Sequence, residues 1–411
     1  MGFPNLFTLA NSGIFFALLL CTAVASTVPR APGGQDPVLV IDTFKNGGRN
    51  DLDAWHGSGE DMPMEWGNGY VKFAPTNADQ NFHTQLTATC YDLTPYKNMY
   101  LHIVCKGAGH FTISLSQNNP QCDAFKNPYP ETWDDVEAHR YMQGNDIYIP
   151  ISHFNIDYTR ALSFSFKGFY LPEKLKVMKV EITATKPSTF PAPEKLPTGT
   201  LWLRCKRPNS FAFGIDDGSP HLGRQIMDIL TSEGINATFF TVGNGLAIPS
   251  SGWSDLYRDM AARGHQVALH TWSHPPMEEL KTEAEIDQEI IKNLQIMREQ
   301  LGFDSRYFRP PYGILGARTR QRLAALIKDP QIINWSVDIQ DWLWAGSPTP
   351  EKQVEAFQRD VDKGGDLVVM HFLSPDTVMY TRDVIRIARN TGKRIMRVDQ
   401  CMEDPAAPPL D

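Results

Sequence analysis

Two histidines four apart, His270 and His274, lie in the run Gly-His-Gln-Val-Ala-Leu-His-Thr-Trp-Ser-His, downstream of a carboxylate pair, Asp216-Asp217-Gly218. Two imidazoles and one carboxylate make a three-ligand metal site with a position left for water. Two adjacent carboxylates do not both ligate one ion well, so the second is free to act as a base beside it. Either fragment alone has a plainer reading: two histidines on a helix surface, or a tight turn at Asp-Asp-Gly. Three further fragments supply the rest of a hydrolytic site. They are Arg309-Pro310-Pro311-Tyr312-Gly313, Asp338-Ile339-Gln340-Asp341-Trp342, and His371 at the end of Leu367-Val368-Val369-Met370. The combination points to a metal-assisted hydrolase.

These residues need a rigid frame, and the hydropathy pattern supplies two kinds of element. Over 38–185 short segments alternate with period two. Leu101, Ile103 and Cys105 alternate with His102 and Val104, and Phe111, Ile113 and Leu115 with Thr112 and Ser114. Turn residues separate the runs and no long helix is evident, which predicts an all-β sandwich or jelly roll. Four prolines within 186–197 predict a stiff, extended linker. From 200 onward strands and helices alternate: strands over 210–215, 237–242, 266–269, 331–337 and 366–370, and helical faces through Leu222, Ile226 and Ile229 and through Ile286, Ile290, Leu294, Met297 and Leu301. The candidate site residues fall at the carboxyl ends of these strands, where β/α barrels place their chemistry.

With 411 residues the chain can form two ordinary domains. Its 42% hydrophobic and 21% charged composition is that of a soluble globular protein. A net charge of −8 argues against nucleic acid and against an anionic membrane surface. The apolar run 13–25, ending Ala23-Val24-Ala25, reads as a secretory signal covering 1–25, although no Lys or Arg precedes it. It is shorter than the ~20 residues a membrane helix needs. The protein is therefore expected to be secreted, extracellular or in a cell wall, with no membrane anchor after signal cleavage. Of six cysteines, Cys21 leaves with the signal, and an odd number remains in an oxidising compartment. Asn236-Ala237-Thr238 is a glycan acceptor pattern; Asn334-Trp335-Ser336 matches too, but lies in a stretch read as a buried strand.

Taken together and in this order, the motifs of 201–402 resemble the polysaccharide deacetylases of carbohydrate esterase family 4, the group that includes chitin deacetylases. The likeness extends to Asn236-Ala237-Thr238-Phe239-Phe240-Thr241-Val242-Gly243 and to Ala262-Arg263-Gly264-His265. It implies a distorted (β/α) barrel, so the expected fold is α/β: a catalytic barrel preceded by an all-β jelly-roll sandwich. The expected divisions are 1–25 signal, 37–185 sandwich, 186–200 linker, 201–402 deacetylase and 403–411 tail. The resemblance further implies that Asp217, His270 and His274 hold the metal, usually zinc, with another divalent ion such as cobalt as a substitute. Asp216 is then the general base and Arg309 orients it. Tyr312 offers its backbone N–H to the developing oxyanion. His371 is the acid that protonates the departing amine, its pKa raised by Asp341. Trp342 walls the substrate site.

Two departures from the family pattern stand out. Gly214-Ile215 replaces the usual Thr-Phe before the carboxylates. Val369 replaces the leucine that lines the acetyl-methyl pocket, so a slightly wider pocket is expected. Related fungal enzymes carry a terminal disulfide staple, which implies Cys205–Cys401; Cys90–Cys122 is the expected second pair, leaving Cys105 as a buried thiol. Trp272, Trp342 and Trp344 are candidates to line a sugar groove, and Trp55, Trp66 and Trp133 are stacking candidates in the sandwich, with ordinary packing the alternative for each. The expected partner is a polysaccharide, and the expected reaction is hydrolysis of N-acetyl groups on chitin or a related N-acetylhexosamine polymer. The rivals are deacetylation of peptidoglycan or an O-acetylated hemicellulose, and a non-catalytic sugar-binding barrel.

Overall fold

A computed structural model describes residues 38–410, apart from 46, 60, 172, 191 and 192. The expected signal segment and Cys21 lie outside the described residues. Two antiparallel sheets come first. One has seven strands, with Tyr100–Lys106 and Leu175–Thr183 at its centre; the other has five, with Ala161–Lys167 between Phe82–Gln85 and Thr112–Gln117. Period two decides which faces meet. Leu101, Ile103 and Cys105 from the first sheet and Ile113, Leu115, Phe164 and Phe166 from the second share one core cluster. Phe73 and Phe82 touch across it at 4.7 Å between ring centroids. The opposite face of the five-stranded sheet carries short polar residues, Ser114, Ser116, Ser163 and Ser165, and ends at Lys167.

The linker does not hang free. Phe190 is buried against Tyr148, Lys195 pairs with Asp134, and Thr198 Oγ1 donates to the same carboxylate at 2.9 Å. A nine-stranded, all-parallel sheet follows, open at both edges. Its longest strand, Ser210–Gly218, lies between Thr238–Thr241 and Leu367–Phe372. Helices cover one face through Phe211, Phe213, Ile215, Phe239 and Leu269. Alternate residues Ala212, Phe240, Ala268, Ile333 and Leu367 turn to a second cluster that holds Cys205 and Cys401. The curled sheet thus encloses an interior, as a distorted barrel requires. Disulfides join Cys205 to Cys401 and Cys90 to Cys122, and Cys105 is a buried thiol, as expected.

One strand prediction is corrected. The stretch 331–337 is two strands, Gln331–Ile333 and Val337–Asp338, which pair with different neighbours. The chain leaves the ladder between them because the carbonyls of Ile333 and Asn334 turn to accept from the Arg309 side chain. Asn334 is buried all the same, while Asn236 is exposed. Among the described residues, no helix is long and apolar enough to cross a membrane.

The two parts meet along the polar face of the five-stranded sheet. Arg320, on the helix Ala317–Leu326, reaches Asp135 at 2.7 Å and the carbonyls of Trp133 and Thr198. The helix begins against the same sheet, with Ala317 N–H donating to Thr112 Oγ1 at 2.9 Å.

Candidate active site

The site is assembled by strand register. Asp216 and His371 are paired neighbours on adjacent parallel strands, and the ladder is irregular just past them, between Asp216 and Gly218. That irregularity lets both carboxylates of Asp216-Asp217 face the site although neighbours on a regular strand point to opposite sides. His270 follows the strand Gln266–Leu269 and Arg309 follows Tyr307–Phe308, with Leu269 and Phe308 in register.

Asp217, His270 and His274 form one cluster, their ligand atoms all within 4.8 Å of one another. Asp217 Oδ1 lies 3.9 Å from Nε2 of each histidine. Two donors bonded to one zinc-sized ion at about 2.0–2.2 Å stand at most about 4.4 Å apart, so the two 3.9 Å separations fit a shared ion. His270 Nδ1 donates to the Arg309 carbonyl at 2.7 Å, which leaves Nε2 as the nitrogen free to face Asp217. Burial, followed by the neighbouring His274, pulls the His270 pKa down to about 3 and keeps that imidazole neutral. Neutral imidazole is the form a metal takes.

The loop carrying His274 is held from behind by the helix Glu283–Leu301. Glu289 accepts from Ser273 N–H at 2.8 Å and from its hydroxyl at 2.7 Å. Asn293, wholly buried, donates to the carbonyls of Thr241 and Thr271. Thr271 and His274 both take left-handed backbone, φ 66° and 64°. Non-glycine residues adopt this conformation only when their surroundings impose it, at a cost of order 1–3 kcal/mol each. Neither anchor was anticipated from sequence. The available signal was Asn293, a polar residue on the helix's otherwise apolar stripe.

Asp216 is buried, and its Oδ1 receives Arg309 Nη1 at 2.6 Å. Arg309 is itself fully buried, with its other nitrogens on the carbonyls of Ile333 and Val368 and its guanidinium 4.2 Å from the Phe240 ring centre. A Cβ at Gly214 would overlap the Arg309 guanidinium, so the glycine makes room for the arginine rather than removing a prop from the carboxylates.

His371 Nδ1 lies 2.8 Å from Asp341 Oδ1, and its backbone N–H donates to Oδ2 at 2.6 Å. Burial works against a charged imidazole, but Asp341, by charge and hydrogen bond, outweighs it together with Asp216 and Asp217, and the His371 pKa is lifted to about 10. The ring is a cation at neutral pH, and Nε2 is the nitrogen left for proton exchange. Asp338 had no expected role. Burial pushes it up to about 6, and its oxygens receive Gln340 N–H at 2.7 Å and Trp342 Nε1 at 3.4 Å.

Tyr312 and Trp342 are the site's exposed aromatics, 61% and 57% accessible. Tyr312 has left-handed backbone, φ 61°, and its ring stands 4.8 Å from His274 edge to face. Val369 is buried between Gly214 and Asp338 of the flanking strands. Trp272 packs on the barrel core, and Trp344 is tied to Gln340 and covered by Lys352.

Comparison with known proteins returns one family consistently. The polysaccharide deacetylase model matches residues 204–327. A chitin deacetylase of Colletotrichum lindemuthianum is 30% identical over 220 residues, 52% of this chain and 87% of that protein. A chitin deacetylase of a Pestalotiopsis species is 29% identical over 219 residues, 52% of this chain and 70% of its own. A peptidoglycan-N-acetylglucosamine deacetylase of Listeria monocytogenes is 27% identical over 231 residues, and the match spans 56% of this chain and 46% of that protein. The solved Colletotrichum structure aligns with a TM-score of 0.47 over 51% of this chain and 95% of that one, at 29% identity. This chain belongs to the polysaccharide deacetylases of carbohydrate esterase family 4.

Proposed function

We propose that the protein is a secreted, zinc-dependent chitin deacetylase, with residues 201–402 as the catalytic domain and 37–185 as a jelly-roll domain. It hydrolyses N-acetyl groups of an N-acetylhexosamine polymer to acetate and free amine. One observation carries the reading: a three-residue ligand cluster, a buried carboxylate held by an arginine, and a histidine held by a carboxylate all meet at neighbouring strand ends. A sugar-binding barrel has no use for a base and an acid placed together.

Asp217, His270 and His274 would hold the divalent ion, zinc or cobalt. When bound it polarises the amide carbonyl and makes water acidic enough to deprotonate near neutral pH. The rest falls to the chain. Arg309 aims Asp216, and Asp216 takes the proton of the attacking water. The Tyr312 N–H, fixed between Pro311 and a left-handed turn, faces the carbonyl oxygen as negative charge builds on it. His371 Nε2 gives its proton to the amine nitrogen as the C–N bond breaks, and Asp341 holds the resulting neutral ring in place. Trp342 covers the sugar face opposite.

Acetate release from acetylated chitooligosaccharides, peptidoglycan fragments and acetylated xylan, each with added zinc, ranks the substrates. Asp216→Asn is expected to retain zinc and lose turnover, whereas His274→Ala loses both. Metal loss in Asp216→Asn as complete as in Asp217→Ala would reverse the two carboxylate assignments.

A further inference from the structure

The polar face of the five-stranded sheet is not filled by the barrel along its whole length. Close to Arg320 the seam is closed by ion pairs to Asp134 and Asp135. Towards the active-site end it opens into a cavity of about 220 Å³. That space would hold on the order of seven waters at liquid density, which is the size range of a single sugar ring. Its barrel wall is Gly313, Ile314 and Leu315, the residues directly after Tyr312. Its floor includes Ala78, whose N–H donates to Glu279 Oε1 at 3.1 Å, and Glu279 in turn acts on Tyr312 through its charge. The cavity therefore adjoins the Tyr312 side of the reaction centre.

Its chemistry is that of a neutral polyol site. Lys167 brings its amino group 4.1 Å over the Trp133 ring and 3.9 Å from Asp135 Oδ1; burial lowers its pKa and the Asp135 charge opposes that. Asp79 stands in the same wall and balances its charge. Asn81, His83, Ser116 and Ser165 add uncharged donors and acceptors. Burial holds His83 down to about 4, so it too is neutral at physiological pH. Trp133 Nε1 is buried with no hydrogen-bond partner among the described residues. An aromatic wall, a spread of hydroxyl, amide and imidazole groups, and no net charge are what a sugar ring requires. A uronate or free acetate would leave the Asp79 carboxylate facing a like charge.

We infer that this cavity is a sugar subsite built by the sandwich, which takes an N-acetylhexosamine unit of the same polymer chain whose neighbouring unit is at the metal. The inference rests on the deacetylase reading, and it makes the sandwich part of substrate recognition rather than only a support.

The test uses the full chain and two variants. Lys167→Met removes the cationic donor, and Ser165→Tyr fills the space. kcat/KM for acetate release is measured on N-acetylglucosamine dimer and hexamer. The expected result is a hexamer-to-dimer ratio about tenfold lower in each variant, through KM on the hexamer, the size of one lost charged hydrogen bond. A ratio equal to that of the unaltered protein in both variants overturns the subsite. Because either substitution can upset the seam, a second measurement uses the unaltered protein. Crystals soaked in N-acetylglucosamine trimer should show a ring in the cavity, and a ring beside Tyr312 with solvent alone in the cavity overturns the proposal. If the unaltered protein releases no acetate from any oligomer yet binds the ring there, the deacetylase reading fails and the binding site stands.

Discussion

Gly214 shows how one residue constrains the chemistry around it. A Cβ there would collide with Arg309, the buried partner of Asp216. Gly214→Thr is expected to push the guanidinium off Asp216 and lower kcat about 100-fold, since displacements near 1 Å cost that much, while zinc is still bound. A Thr variant with full activity, measured by acetate release, would show that Arg309 can shift without harm. The His371–Asp341 pair makes a second residue-scale prediction. Above the His371 pKa the acid has no proton to give, so activity falls on the alkaline side as pH rises through about 10. Asp341→Asn removes the main cause of that elevation, and the alkaline limb of the kcat/KM profile should move to lower pH. The same shift has a stability consequence. The folded pKa lies above the unfolded value near 6.5, so the contribution to stability is fully present below about pH 6.5 and is lost as pH rises through about 10. A chemical denaturation series across pH 6 to 11, compared with His371→Gln, reads that loss.

At the scale of elements, what was legible in the sequence and what was not divide along physical lines. The candidate metal ligands and candidate base sit within two short segments, where residue type and spacing alone restrict the chemistry, and the structure brings Asp217, His270 and His274 together. Period-two alternation marked the sandwich core because burial on one sheet face imposes it. The supports were invisible because they depend on contacts between segments far apart in sequence. Glu289 and Asn293 reach the His274 loop from a helix whose apolar stripe could be read but whose neighbours could not. The break between Gln331–Ile333 and Val337–Asp338 has the same origin, since it exists to satisfy Arg309. The raised pKa of Asp338 likewise follows from packing rather than from its motif. Asn293→Leu tests the supporting helix. It keeps the branched shape and apolar stripe but leaves the Thr271 carbonyl only the Gly243 N–H at 3.0 Å, so the left-handed turn at Thr271 loses its side-chain tether. Zinc affinity should fall about 10- to 100-fold, as for other groups that orient metal ligands, with helix content by circular dichroism unchanged. Equal zinc affinity by competition with a chelator would assign the loop's shape to Glu289 alone.

At the scale of the whole molecule, the sandwich and the barrel share a seam too polar and too well paired to be a loose tether. Arg320 is almost wholly buried, and so are Asp134 and Asp135 facing it. Thr132 Oγ1 donates to the Leu201 carbonyl, and Asn127 Nδ2 to that of Ser336, each at 3.0 Å, so contacts continue to both sides of the helix docking. Removing one member of a buried ion cluster strands the charges that remain, which costs about 3–5 kcal/mol. Arg320→Met is therefore expected to destabilise the full chain by that order in denaturant titration, and Arg320→Lys by less, since a cation is retained. The Cys205–Cys401 disulfide acts within the barrel alone: closing a 196-residue separation is worth on the order of 5 kcal/mol in the chain-entropy account. That staple cannot replace the seam, because it leaves the helix Ala317–Leu326 without a cover. Residues 201–411 expressed alone would expose Arg320, Arg318 and the start of that helix to water, and Gly313–Leu315 would lose the wall behind Tyr312. The fragment is expected to be insoluble, or soluble and inactive even on short oligomers. A soluble fragment matching the full chain on dimer, hexamer and solid polymer would show that the barrel needs the sandwich for neither its fold nor its substrate.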